Sequence, residues 1–287
     1  MWVGQQLADG LDFWGFLGSL ILGGIILGIY TGLILSLYTG LLGYVSAKTG
    51  LSLDLLSQRA FGEKGSYLPS AMTSFTQIGW FGVGSFVSGG TATPNFARFA
   101  KNGKAGAITT VVAFFIGNSL MFFFGAVSSI FVGGNDIFEV MVRLNLFYLA
   151  VLVLGLNIWT TNDNALYTAG LGLANIFHQR KKPMVLLSGI IGTVASVWLY
   201  YNFCGWLNIL NCTLPPVGMI LVLAYFMNKE DFETDQPKLK TIDWFAVAGV
   251  ILGAIVANLL HWGIASINGM VVAAVCYCVG QAVNKRK

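Results

Sequence analysis

Charge is what this sequence has least of. Only 10% of its 287 residues are Asp, Glu, Lys or Arg, against 56% hydrophobic, whereas a soluble domain carries about a quarter charged residues. A chain of this make-up has too little polar surface to face water. Histidine is nearly missing: His178 and His261 are the only two, they are not spaced to hold haem or a metal, and both sit where an apolar run ends. No Gly-rich loop leading into a Lys offers an ATP site. The four cysteines, Cys204, Cys212, Cys276 and Cys278, lack zinc spacing and His neighbours, so they read as ordinary buried cysteines. The start, MWVGQQLADG, has neither a basic n-region nor a cleavage site, and no signal peptide is read there.

What fills the chain instead is long apolar runs. They extend approximately over Leu11 to Ala47, Tyr67 to Ala97, Ala105 to Val132, Leu144 to Phe177, Met184 to Tyr200, Phe203 to Met227, Ile242 to Trp262 and Ala265 to Val283. A hydrocarbon core of roughly 30 Å takes about 20 helical residues to cross, so each run is long enough, or nearly so, for a span. The expectation is an all-α, multi-pass integral membrane protein with the lipid bilayer as its solvent. Thirty-six glycines fit that setting, where small residues let helices approach closely and break beside a cavity. Pro215-Pro216 inside a span predicts a kink or a break, either as a hinge or as a mere irregularity.

The net charge of +4 does not point to nucleic acid, because the basic residues lie in short clusters between apolar runs. Those clusters are Lys48 to Lys64, Arg98 to Lys104, Arg180 to Lys182, Lys229 to Lys240 and Lys285 to Lys287. Placing all five on the cytoplasmic side satisfies the positive-inside rule from Lys104 onward, since two apolar runs separate each pair of clusters. Between Lys64 and Arg98 there is only one run, Tyr67 to Ala97. Two crossings need about 40 residues, so this run is a re-entrant hairpin, or one basic loop faces outward, or a piece of the ancestral chain is missing.

Polar residues at membrane depth concentrate in Gly155-Leu156-Asn157-Ile158-Trp159-Thr160-Thr161-Asn162-Asp163-Asn164. At helical spacing Asn157, Thr160, Thr161 and Asn164 share one face and offer the hard oxygens a small cation such as sodium prefers. Asp163 is the one carboxylate deep in an apolar run, and intramembrane ionisable groups are functional candidates. The plainer alternative is that these side chains only cement helix to helix. No His, Cys, Ser or second carboxylate is arranged with Asp163 for catalysis, so an enzyme is not expected.

A second cluster, Thr76-Gln77-Ile78-Gly79-Trp80-Phe81-Gly82-Val83-Gly84-Ser85-Phe86-Val87-Ser88-Gly89-Gly90, combines an amide, aromatic faces, hydroxyls and five glycines. Gln77 and Trp80, three apart, share a helical face, and the glycines permit unwound backbone. Such a set suits a flat heteroaromatic ring, while close helix packing also accounts for glycine and aromatics.

At these two clusters the sequence resembles the nucleobase:cation symporter (purine-cytosine permease) family, and within it the bacterial cytosine permeases. The carrying segments are Thr76 to Gly84, Phe86 to Thr91 and GLNIWTTNDNALY from Gly155 to Tyr167, with Gly117 to Phe122 and Pro215 to Gly218 in addition; the similarity covers nearly the whole chain. The resemblance implies a leucine-transporter-like fold, whose full form has twelve spans with the first ten in two inverted repeats. It implies a secondary transporter of cytosine or a related nucleobase, coupled to sodium or protons, in the bacterial cytoplasmic membrane. Gln77, Ser88 and Asn162 would then hydrogen-bond the base, Trp80 and Phe86 would stack on it, and Asn157, Thr160 and Thr161 would bind sodium; no further cofactor is implied.

Set against the family pattern, the chain begins inside the first span, and about a hundred residues are missing after Gly84. The expected architecture is therefore partial: one transmembrane domain over 1–287 with about seven to nine hydrophobic helices rather than twelve. Residues 1–97 would be the remnant of the first repeat, with 67–97 a fused or re-entrant segment, and 98–287 the remaining spans. The alternative function is a non-transporting remnant, or a binding subunit that pairs with a chain supplying the lost spans.

Overall fold

In the computed structural model the described residues are 36–83, 93–133, 137–234, 237, 239–260 and 262–284. All regular structure among them is helical: α1 (36–49), α2 (Leu53–Phe61), α3 (Tyr67–Val83), α4 (Pro94–Ala97), α5 (Gly103–Val132), α6 (Ile137–Arg143), α7 (Phe147–Phe177), α8 (Lys181–Tyr201), α9 (Phe203–Met227), α10 (Lys229–Glu233), α11 (Trp244–Leu259) and α12 (Ala265–Asn284). The helices follow the apolar runs because lipid leaves the backbone no other partner: each N–H and C=O must be satisfied within its own segment. Three stretches, Lys181–Leu199, Gly205–Met227 and Ala265–Val283, are long and apolar enough to cross a membrane. The protein is an all-α integral membrane protein.

The chain divides into two compact units, 1–40 with 108–160 and 41–107 with 161–287. In the first, Arg143 holds the turn between its helices: the guanidinium reaches Glu139 at 2.6 Å and Val132 O at 3.4 Å. Ile108, Val112, Phe131, Val151 and Leu152 are exposed there, as lipid-facing residues are.

The second unit is organised on α9, whose Val217, Ile220, Leu221, Ala224 and Tyr225 are buried. Helices α11 and α12 form a hairpin against it. Their crossing requires glycine: a Cβ on Gly253 would stand 2.7 Å from Gly269 O and 3.2 Å from Pro216 Cγ, closer than real side chains come. Pro216 thus packs where two glycines have left room, and α9 runs unbroken through Pro215 and Pro216. The break that two prolines suggested is not there. Cys212 is buried as expected, but Cys276 is only half-buried and Cys278 is exposed. The reason is helical phase: Ala273, Tyr277 and Gln281 carry the buried face of α12, and Cys278 is turned about 100° from Tyr277.

Four of the basic clusters meet at one end of this unit. The Glu63 and Lys64 N–H groups donate to Lys240 O and Thr241 O at 2.7 and 2.8 Å. Arg59 donates to Asp231 O at 2.6 Å and to Thr234 O at 3.1 Å, and Lys48 lies 4.0 Å from Glu233. Arg98 donates to Tyr167 Oη at 2.6 Å, with Lys181 Nζ 3.4 Å over the same ring. At that end Ser46 Oγ donates to Pro94 O at 2.6 Å and the Leu53 N–H to Asn95 Oδ1 at 3.0 Å. Hence the clusters at Lys48 to Lys64 and Arg98 to Lys104 share a side, although one apolar run lies between them.

Candidate substrate and ion site

Helices α3 and α7 pack side by side in the second unit. Ser74 Oγ donates to Ala169 O at 3.1 Å, and a Cβ on Gly172 would meet Ser70 O at 2.8 Å. One turn nearer the basic end, Asn175 Nδ2 donates to Ser70 Oγ at 2.8 Å and Ser66 Oγ at 3.1 Å. Rising numbers on α3 face falling numbers on α7, so the pair is antiparallel. Following that register away from the basic end, the last turns of α3 run beside the 161–165 stretch of α7.

Gln77 lies on this part of α3 and is 6% exposed. Two residues further, Gly79 is pressed against the Trp206 indole, where any Cβ would collide with the ring. Trp206 closes the far side of this region in a cluster with Ala165, Leu199, Leu210 and Leu214. The sequence reading did not single out Trp206; a Trp two turns before a Pro-Pro pair carries no pattern that separates it from an ordinary apolar anchor.

Along α7 the polar run is regular helix, so its side chains rather than its carbonyls are on offer. Ala165, Thr168, Ala169 and Gly172 are buried, Ala169 and Gly172 against α3, which places Thr161 and Asn162, four and three residues before Ala165, at the edge of that face. Both are half-buried. The Asn162 Oδ1 atom is itself buried and has no hydrogen-bond partner among the described residues. A buried amide oxygen left without a donor costs about 1–3 kcal/mol, and in a folded protein it commonly marks a missing water or ligand.

The remaining expected site residues are placed differently. Asn157 and Thr160 are exposed on the part of α7 that belongs to the first unit. Thr160 Oγ1 donates to Leu156 O at 3.2 Å and Asn157 O at 3.0 Å, which leaves its lone pairs available. Trp80 lies in the last turn of α3, with its side chain outside the description, and Phe86 and Ser88 fall within 84–92, outside the described residues. Asp163 and Asn164 are exposed.

The sequence matches the family described as "Permease for cytosine/purines, uracil, thiamine, allantoin" over residues 1–92 and 83–282. The chain belongs to this permease family. Cytosine permease of Escherichia coli (strain K12) is 34% identical to it over 380 residues, covering 100% of this chain and 88% of the relative, and the same figures hold for the cytosine permease of E. coli O157:H7. A solved structure of Mhp1, a nucleobase-cation-symport-1 family transporter in a closed conformation with bromovinylhydantoin bound, shares the fold. Its TM-score is 0.72 at 14% identity, with 97% of this chain and 87% of that one covered.

These relatives of the permease chain are transporters rather than enzymes. They also expose an internal gap: an alignment of 380 residues with a chain of 287 leaves 93 positions without a counterpart here. The family match falls into two pieces that overlap at 83–92, next to the junction expected after Gly84.

Proposed function

We propose that the chain binds cytosine or a closely related nucleobase between α3 and α7 and carries it, with a coupling cation, across a bacterial cytoplasmic membrane. The observation that carries this reading is Asn162, whose amide oxygen is buried and, among the described residues, unpartnered, in a segment that resembles the cytosine permeases. An amide oxygen accepts from an exocyclic amine and an amide NH2 donates to a ring nitrogen or carbonyl, so Asn162 and Gln77 offer a base both kinds of edge contact. Trp80 and Phe86 would stack on its faces, with Ser88 as a further hydrogen-bonding partner. Sodium is the proposed ion, held by the side-chain oxygens of Asn157, Thr160 and Thr161, a hard-oxygen set that suits it; a proton is the other candidate.

The test is uptake of radiolabelled cytosine by cells that lack their own permease. Uptake above an empty-vector control, and dependent on sodium, supports the reading. Uptake equal to the control with the protein present in the membrane overturns it.

A second reading is favoured by the 93 positions without a counterpart. Alternating access moves one inverted repeat against the other, and a first repeat shortened within 67–97 would retain base contacts while losing that motion. On this reading the chain binds the base without moving it, alone or as a subunit beside a chain that supplies the lost spans. Saturable cytosine binding by purified protein, together with vector-level uptake, distinguishes it from transport.

A further inference from the structure

At the basic end of the second unit a carboxylate is buried without a counter-ion among the described residues. Asp54, in the first turn of α2, is 6% exposed. Ser70 Oγ donates to its Oδ1 at 2.6 Å. Ser70 in turn accepts from Asn175 Nδ2 at 2.8 Å, and Asn175 Oδ1 accepts from Gln58 Nε2 at 2.6 Å. This chain of hydrogen bonds ties α2, α3 and α7 together. Among the described residues no Lys, Arg or His nitrogen lies within 4.0 Å of the carboxylate.

The charged and titratable groups around Asp54 are engaged elsewhere. Arg98, beyond α4, donates to Tyr167, and its Nε and the Asn95 Nδ2 are buried donors with no acceptor among the described residues. Arg59 of α2 is bound to Asp231 O and Thr234 O. On α3 Tyr67 is bonded to His178 at 2.7 Å. Tyr225 of α9 bonds Glu233 of α10, which also faces Lys48. Before α11, Asp243 pairs with Lys240. Asp54 is left with the Ser70 hydroxyl, its own backbone N–H and the distant charge of Arg98, and a buried carboxylate with no close cation among the described residues favours its neutral form.

We propose that Asp54 is a proton-binding site, and that its proton makes the stability of the α2–α3–α7 junction depend on pH. The proton comes from bulk water and forms an O–H bond on Oδ2; no other bond breaks, Ser70 keeps donating to Oδ1, and the charge falls from −1 to 0. In agreement, burial pushes the Asp54 carboxyl up from 3.8 to about 6, against the lowering effects of the Ser70 hydrogen bond, of a hydrogen bond from its own backbone and of Arg98. Because the folded value is the higher, the stabilisation is complete below about 3.8 and is lost as pH rises through about 6.

The experiment is thermal denaturation of the purified full chain in lipid nanodiscs at a series of pH values, with infrared titration of carboxyl C=O absorption. The wild type should lose roughly a hundredfold in its folding equilibrium from pH 4 to pH 7.5, and a protonated-carboxyl band should vanish over the same interval. Asp54→Asn should be flat and lack the band. Ser70→Ala and Arg98→Gln, which remove support for the anion, should move the wild-type midpoint to higher pH, and they test the proposal even if Asp54→Asn does not fold. A wild-type profile that survives Asp54→Asn overturns the proposal, as do unshifted midpoints in both other variants.

Discussion

At the scale of single residues the reading turns on amides and hydroxyls placed in an apolar helix. Asn162 carries a buried oxygen without a donor among the described residues, and replacing it should remove a hydrogen bond that a bound base makes and water cannot easily replace. Asn162→Ala is expected to weaken cytosine binding by about 10- to 100-fold, from roughly 1–3 kcal/mol per buried polar contact, with the melting temperature unchanged or slightly raised. Equal affinity in an Asn162→Ala titration contradicts the assignment. Asn157, Thr160 and Thr161 were legible as a polar stripe because, with Asn164, they recur at helical spacing in an otherwise largely apolar run, though the stripe's exposure was not: Thr161 is half-buried while Asn157 and Thr160 are exposed. Asp54 was not legible at all. In the sequence it is one acidic residue within the basic stretch Lys48 to Lys64, and only the fold, with Ser70 of α3 bonded to it, shows it buried.

Helices are the scale at which the sequence is most informative. Seven helices of 16 residues or more among the described residues follow the apolar runs, within the seven to nine expected, since in lipid an apolar run has one stable backbone solution. What the runs do not encode is which small residues touch. Pro215 and Pro216 suggested a kink or a break; of the two the break is absent, since Gly253 and Gly269 make room for Pro216 and α9 continues. Gly253→Val should therefore lower stability by about 1–3 kcal/mol through overpacking against backbone. Gly205→Ala, with nothing within 4 Å of the added Cβ, should change it by less than about 0.5 kcal/mol. Thermal unfolding of the two variants in one detergent checks both, and equal losses would show that the crossing tolerates bulk.

For the whole molecule, charge gave the first sign of an irregularity in a chain that is shorter than its relative. Two basic clusters separated by one apolar run cannot both be cytoplasmic if that run crosses once, and the structure joins them at one end through Ser46 with Pro94 and Leu53 with Asn95. The two-piece family match overlaps at 83–92, within that same run, and the E. coli relative has 93 positions without a counterpart in the chain. Single cysteines at Glu63, Lys101 and Lys182 should all be labelled by an impermeant maleimide from the cytoplasmic face of inverted vesicles. Labelling of any of them on intact cells would place its loop outside.

The central claim, a nucleobase site between α3 and α7, is tested most directly by equilibrium binding of radiolabelled cytosine to the purified chain in nanodiscs. The account predicts saturable binding that unlabelled cytosine displaces and that Asn162→Ala and Gln77→Ala each weaken at least tenfold, whether or not the chain transports. Binding that does not saturate, or that both variants leave intact, would contradict it.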